Sequence, residues 1–361
     1  MAMGQETATD NGAFAFTGDW REYAPIAFTN LLLSIVTLGI YSFWARTRTR
    51  RYLWSHTRFI DERLEWTGTG KELLIGYIMA FCLIVVPLGL INLIVQGVVM
   101  RGHAGLGGLI LVLLYFFILY LTGVAIFRAI RYRLSRTFWH GIRGGSDEQG
   151  LTYGFNSLWR SLVGALVLGL MVPWSMTTRW NLRWDAMSFG PHHFQANARW
   201  GPLMGRYLLV YLIPIILFVG IFAFGAFFAP RSMVPGASPP VALVIGFMIF
   251  IFGFYIVLGV VAISYYAAYY REAIGTLSLG PIEFGFTART VDWFKLVLGN
   301  LALTFLTFGV GYIFVAYRNW AFFIRHLEAY GELHLDALTQ SATRAPGQGE
   351  GLLDAFDIGA F

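Results

Sequence analysis

Four stretches of this chain, residues 72–100, 105–127, 203–230 and 239–267, are apolar over more than the roughly 20 residues a helix needs to cross a bilayer core. Their interiors hold no Asp, Glu or Lys. They come as two pairs, the first joined by Arg101–Ala104 and the second by Arg231–Ser238, connections short enough for tight helical hairpins. Pro87 and Pro214 lie inside these stretches, where neighbouring helices can re-satisfy a freed carbonyl. Only 13% of the 361 residues are charged, too few to cover a soluble domain of this length, so the composition specifies an integral membrane protein. The polar start Met1–Gly12 lacks a basic stretch before an apolar core; the reading is therefore a retained first membrane segment in place of a cleaved signal peptide. Cys82, the sole cysteine, lies in an apolar run, which excludes a disulfide framework and a cysteine zinc site.

Three further apolar segments, 25–45, 158–176 and 293–316, each run into aromatic and basic sequence and read as copies of one another. Thr37–Ile40 and Trp44 align without a gap to Val167–Leu170 and Trp174, and the same shift matches Trp54 to Trp184, Phe59 to Phe189 and Tyr77 to Tyr207. A longer shift matches Phe16 and Thr17 to Phe286 and Thr287, Asn30 to Asn300, Gly39 to Gly309, Arg48 to Arg318 and His56 to His326. Each copy opens on a short aromatic piece expected to be a strand, at 13–18, 151–156 and 282–290. TRFIDERLEWTG (57–68) alternates around Asp61 and Glu62 as a hairpin does. The expected division is a disordered start (1–12), a first unit (13–135), a second (136–275), a partial third (276–340) and a disordered tail (341–361).

Charge chooses between spanning and re-entry for the three short segments. If all seven segments span, 17 of the 26 Lys and Arg fall on the cytoplasmic side and 9 on the far side, and the second unit is inverted. If the three short segments enter and leave by one face, only Arg101 and Arg231 remain on the far side. Asn30 to Gly39 makes about 15 Å of helix, and Gly39, Gly169 and Gly309 are permissive turning points. The expected fold class is therefore an all-α polytopic membrane protein: four long spanning helices in two hairpins, three repeated re-entrant or kinked segments, and small cytoplasmic β pieces.

The most basic stretch holds Arg46, Arg48, Arg50 and Arg51 among Trp44, Tyr52 and Trp54. Residues two apart on a helix point in different directions, so these arginines wrap it. They read either as a site for anionic lipid or phosphate or, more simply, as an interfacial anchor pairing with Asp61, Glu62, Glu65 or Glu72. Asn92 and Gln96, one turn apart in an apolar stretch, read as packing or pathway residues. His192 and His193 point apart, and His103 and His140 lie in other loops, so no metal site is assigned. No nucleophile motif, P-loop or dinucleotide fingerprint is present, and no cofactor is expected. The net charge of +6 flanks apolar segments, which fits contact with membrane lipids and not with nucleic acid; a protein partner or self-association stays open.

The block Asn30–Leu53 (NLLLSIVTLGIYSFWARTRTRRYL), followed by a hairpin and GTGKELLIGY (68–77), resembles the bacterial inner-membrane YjgN-like proteins over roughly residues 14–335. The resemblance implies a multi-pass protein of the bacterial inner membrane and brings no reaction, cofactor or catalytic residue. The second copy departs from the motif, with Met176, Thr178, Trp180 and Asn181 at the places of the four arginines. The expected role is a non-enzymatic lipid- or envelope-related scaffold or partner-binding protein; the alternative is a transporter or channel with a pathway through the broken segments.

Overall fold

The computed structural model describes residues 12–232, 241–332 and 339–343. The expected disorder at the start of the chain, most of the second helical connection and the tail beyond Thr343 lie outside the described residues. In chain order the elements are β1 (Phe14–Phe16), α1 (Trp20–Val36), α2 (Ser42–Ser55), β2 (Thr57–Phe59), β3 (Glu62–Arg63), β4 (Glu65–Trp66), α3 (Gly70–Ala80), α4 (Val86–Met100) and α5 (Ala104–Arg136). Then come β5 (Thr137–Trp139), β6 (Ile142–Gly145), α6 (Leu151–Ala165), α7 (Val172–Asp185), β7 (Ser188–Phe189), β8 (His192–Ala196), α8 (Gly201–Ser232) and α9 (Val241–Gly275). The chain continues with β9 (Leu277–Leu279), β10 (Ile282–Phe286), α10 (Thr290–Leu306), α11 (Val315–His326) and β11 (Leu327–Tyr330).

The pairs α1/α2, α6/α7 and α10/α11 are helical hairpins whose tips share one backbone conformation. Leu38 and Gly39 have φ of 51° and 90°, Leu168 and Gly169 57° and 89°, and Phe308 and Gly309 52° and 91°. The left-handed glycine stops the helix and turns the chain, and its N–H caps a carbonyl five residues back: Gly39 to Ser34 and Gly309 to Thr304, both at 2.7 Å. The return is antiparallel. Asn30 on α1 donates to the Ala45 carbonyl of α2 at 3.2 Å, and the Tyr23 and Thr49 hydroxyls lie 3.3 Å apart. In the second pair Arg179 donates to the Ser161 hydroxyl, and in the third Arg318 Nε donates to Asn300 Oδ1 at 2.7 Å. The tips carry apolar side chains outward: Leu38, Leu168 and Phe308 are 94%, 86% and 98% exposed.

The expected all-α fold with four long spans is corrected on two counts. First, among the described residues three helices are long and apolar enough to cross a bilayer: Ala104–Arg136, Gly201–Ala223 and Val244–Gly275. The stretch 72–100 is not a single α-helix. Pro87 offers no N–H, and Phe81–Val85 widens into a π turn in which the Val86 N–H bonds the Phe81 carbonyl, leaving Val86–Met100 as a shorter apolar helix. Second, among the described residues eleven strands build real sheets, an eight-stranded antiparallel one in the order β11-β10-β9-β8-β7-β6-β5-β4 and a three-stranded one in the order β1-β2-β3. Of the expected strands, those within 13–18 and 282–290 and the 57–68 hairpin are present, whereas 151–156 opens α6. Gly150 turns the chain there in a left-handed conformation (φ 83°), and Gly154 and Ser157 pack against Val124 and Gly123 of α5.

Each helical unit delivers its end to this base. Short hairpins follow α2, α5, α7 and α9, turning at Ile60-Asp61, His140-Gly141, Gly190-Pro191 and Gly280-Pro281, and strands of successive units pair with one another. Only Leu64 separates β3 from β4, and β1 lies beside β11, with the Phe14 and Phe284 rings 6.4 Å apart, so the strands curl around a common interior. Phe59, Trp139 and Ile282 fill it, and Trp139 Nε1 donates to the Phe59 carbonyl at 3.0 Å. At the rim His140 lies between two carboxylates, 3.0 Å from Asp61 and 2.9 Å from Glu62. Burial raises the Asp61 pKa, but hydrogen bonding and charge from His140 outweigh it and hold the carboxyl below its usual range. Glu72 plays a similar part between α3 and α5: it closes a capping box with Thr69 and accepts from Tyr132 at 2.9 Å and from Arg136 at 2.8 Å.

The hairpin tip makes a sharp stability prediction. A Cβ on Gly39 meets no atom within 4 Å, so Gly39→Ala costs only the left-handed conformation, about 1 kcal/mol, read as a lowered thermal midpoint in detergent. Gly89→Ala, equally free of neighbours but inside α4, leaves the midpoint unchanged or raises it.

Candidate functional site: a basic, aromatic cavity

The hairpins α1/α2 and α10/α11 meet α5 and α7 around a cavity of about 770 Å³. It runs from Leu64 and Thr137 beside the sheet to Ser34, Ser42 and Tyr312 near two hairpin tips. Four arginines line it: Arg46 and Arg50 from α2, Arg133 from α5 and Arg183 from α7. Among the described lining residues there is no Asp or Glu. The acids of the first unit make pairs outside the cavity, Glu72 with Arg136, and Asp61 and Glu62 with His140.

Helical spacing explains which arginines arrive. Arg46 and Arg50 are four apart and share a face of α2, while Arg48 lies on another face, where it donates to Asn30 at 3.5 Å and Tyr41 at 3.2 Å. Arg51 is exposed. The expected basic patch thus divides, two members lining the cavity and two outside it. Asn92 and Gln96 are exposed on α4, bonded to each other at 2.9 Å and not among the cavity residues. Gly39, Gly169 and Gly309 hold the hairpin tips, and Tyr207 of α8 donates to the Gly169 carbonyl at 2.6 Å.

Trp180, Arg183 and Trp184 were not anticipated as site residues. Their spacing of three and four puts them on one face of α7, which is the signal that could have found them. Arg183 lies over the Trp180 ring at 5.2 Å. Arg183 Nε, Trp180 Nε1 and Trp184 Nε1 are buried with no hydrogen-bond partner. All three are donors, and a buried donor costs free energy until an acceptor reaches it. On the opposite wall Trp54 and Trp320 stack at 4.1 Å with their N–H groups already bonded, Trp54 to Thr137 and Trp320 to Thr57. The cavity therefore pairs an aromatic wall with surplus donors and positive charge. Among the described residues no cluster of His, Cys, Asp and Glu is placed to hold a metal ion. The arrangement suits an oxyanion, phosphate or carboxylate, attached to an apolar body.

Three bilayer-length apolar helices rooted in curled sheets, with a basic, aromatic cavity among the shorter hairpins, define an α-helical membrane protein. The chain belongs to the family described as bacterial protein of unknown function (DUF898), whose model matches residues 11–355. It is similar to the inner membrane protein YjgN of Salmonella typhimurium, 34% identical over 97 residues, which is 27% of this chain and 22% of that protein. It is also similar to inner membrane protein YjgN of Escherichia coli K12, 34% identical over 64 residues (18% and 16% of the two chains), and of Escherichia coli O157:H7, 35% over 74 residues (20% and 17%). The aligned part thus spans about a fifth of the length of these relatives. No solved structure matches the chain.

Two arginine-to-methionine changes separate cavity charge from structural charge. Arg136→Met breaks the pair with Glu72 and lowers stability by about 1–3 kcal/mol. Arg183→Met keeps the stem but removes a buried donor without a partner, and raises the thermal midpoint of delipidated protein. Calorimetry in a neutral detergent reads both.

Proposed function

We propose that this protein is a multi-pass protein of the bacterial inner membrane that binds the phosphate of an anionic phospholipid in the cavity among its hairpins. It serves the envelope as a non-enzymatic lipid-binding scaffold. The observation that carries this reading is on the cavity wall: the buried Arg183 Nε and two tryptophan N–H groups are in need of an acceptor, and three further arginines line the same cavity. Apolar hairpin tips and long apolar helices support a cavity at the depth where head groups lie. The names of the relatives support the inner membrane as its location.

In this reading the three hairpins are re-entrant and derive from one repeated unit, with the sheet in the cytoplasm. Bonds that recur 270 residues apart support the repeat: the Thr17 N–H on the His56 carbonyl (2.9 Å) and the Thr287 N–H on the His326 carbonyl (3.0 Å), together with Arg48 on Asn30 and Arg318 on Asn300. The ends of α2, α5, α7, α9 and α11, each followed by a strand, support a single cytoplasmic base carrying most of the arginines.

Binding is tested with purified protein whose tryptophan fluorescence is quenched by brominated lipid. Saturable quenching by brominated phosphatidylglycerol, weakened about tenfold or more in Arg46→Gln/Arg183→Gln and absent with brominated phosphatidylcholine, is the expected result. Equal quenching by both lipids would overturn the proposal. Topology is tested by replacing the exposed Cys82 and labelling single cysteines in intact cells. Ala104→Cys is expected to react with an impermeant reagent, and His193→Cys and Glu283→Cys only after lysis; labelling of the latter two from outside excludes a cytoplasmic sheet.

A further inference from the structure

The amide pair on α4 stands where an unfilled hydrogen bond is hardest to leave. Against α5 this helix turns one side: Val95 is its buried residue, and a Cβ on Gly107 of α5 would strike Val99 and lie beside Val95. Elsewhere α4 faces outward, with Leu90, Leu93, Ile94 and Met100 more than half exposed. Asn92 and Gln96 lie on this open, apolar surface one helical turn apart. With Arg101 at the far face, as both topologies weighed for the chain require, Gln96 is about 7 Å and Asn92 about 13 Å along the helix from that end. Asn92 is therefore at the depth of acyl chains, and the Gln96 side chain reaches back to it.

Pairing within the helix leaves each amide half used. Gln96 Nε2 donates to Asn92 Oδ1 at 2.9 Å, and among the described residues Asn92 Nδ2 and Gln96 Oε1 have no further partner. Acyl chains offer neither a donor nor an acceptor. One free donor and one free acceptor thus stand side by side, which is a self-complementary set. A half rotation about the membrane normal brings the acceptor of an identical set to this donor, and its donor to this acceptor. A second copy of the chain meets that condition without adjustment. Inserted in the same membrane with the same orientation, it carries its α4 parallel and its amides at the same depth. An anionic head group would satisfy the donor alone.

We propose that the chain forms a twofold-symmetric dimer through α4, held by hydrogen bonds from Asn92 Nδ2 of each copy to Gln96 Oε1 of the other. Leu93 and Met100, on the same side of the helix by their spacing from Gln96, pack around the amides. The dimer makes no use of the cavity among the hairpins and stands or falls apart from the lipid reading.

The test uses the full chain in its own membranes, with Cys82→Ser and a single cysteine introduced by Met100→Cys, oxidised with copper phenanthroline. A disulfide-linked dimer is expected from Met100→Cys and none from Phe222→Cys, which is also exposed but lies on α8. Adding Asn92→Leu/Gln96→Leu keeps the surface apolar and should lower the yield about tenfold, the equivalent of two interhelical amide bonds. Asn92→Gln, which keeps an amide at this depth, should retain most of it. The helix α4 holds no tryptophan, so an emission spectrum of the leucine variant matching the parent's marks a loss of association and not of folding. Monomer alone after oxidation, a yield indifferent to the two leucines, an equal yield from Phe222→Cys, or a disulfide to a protein of different mass would each overturn the proposal.

Discussion

The architecture depends on where backbone polar groups are satisfied. A bilayer tolerates helices because they bond internally, but each helix end leaves N–H and C=O groups that need partners elsewhere. Here the ends converge on one place. The hairpin units, short and long alike, return to the same curled sheet, whose strands are only two to five residues long and take their partners largely from other units. The ladders therefore act less as a domain of their own than as a fixture that sets the register of the helices above them. At the far ends of the short hairpins the same problem is solved locally, by a left-handed glycine whose N–H satisfies the preceding helix.

Once the helix feet are held, the cavity forms between them. Arg46 and Arg50 sit one turn apart on α2, and the sheet places that face toward Arg133 at the foot of α5 and Arg183 near the foot of α7. A buried donor without a partner, such as Arg183 Nε, is costly, and an acceptor that reaches it recovers free energy. Stacking of Trp54 on Trp320 and of Arg183 over Trp180 gives the site flat walls that suit an apolar body beside the anion. A lipid phosphate, in the proposed reading, meets this demand.

The parts of this organisation that obey local rules were legible in the sequence. Gly39 in TLG signals a left-handed stop, helical spacing separates Arg46 and Arg50 from Arg48, and the apolar runs at 105–127 and 203–230, with the described part of 239–267, fall within long helices. Non-local pairing was not legible. The turns at His140-Gly141, Gly190-Pro191 and Gly280-Pro281 look like simple loops until strands from different units lie side by side, as β8 and β9 do. The stretch 72–100 reads as one span because hydropathy does not register the π turn before Pro87. Arg183 was passed over because the second unit departs from the arginine motif, and only its packing against the other hairpins reveals that it supplies a cavity charge.

The lipid reading requires an acidic group against Arg183 in this cavity. A density map of the full chain in nanodiscs containing phosphatidylglycerol shows directly whether one is there. The expected result is a phosphate within hydrogen-bond distance of Arg183 Nε and of the Trp180 or Trp184 indole N–H. Arginine side chains turned out of the cavity, with only acyl chain or water in their place, would contradict it.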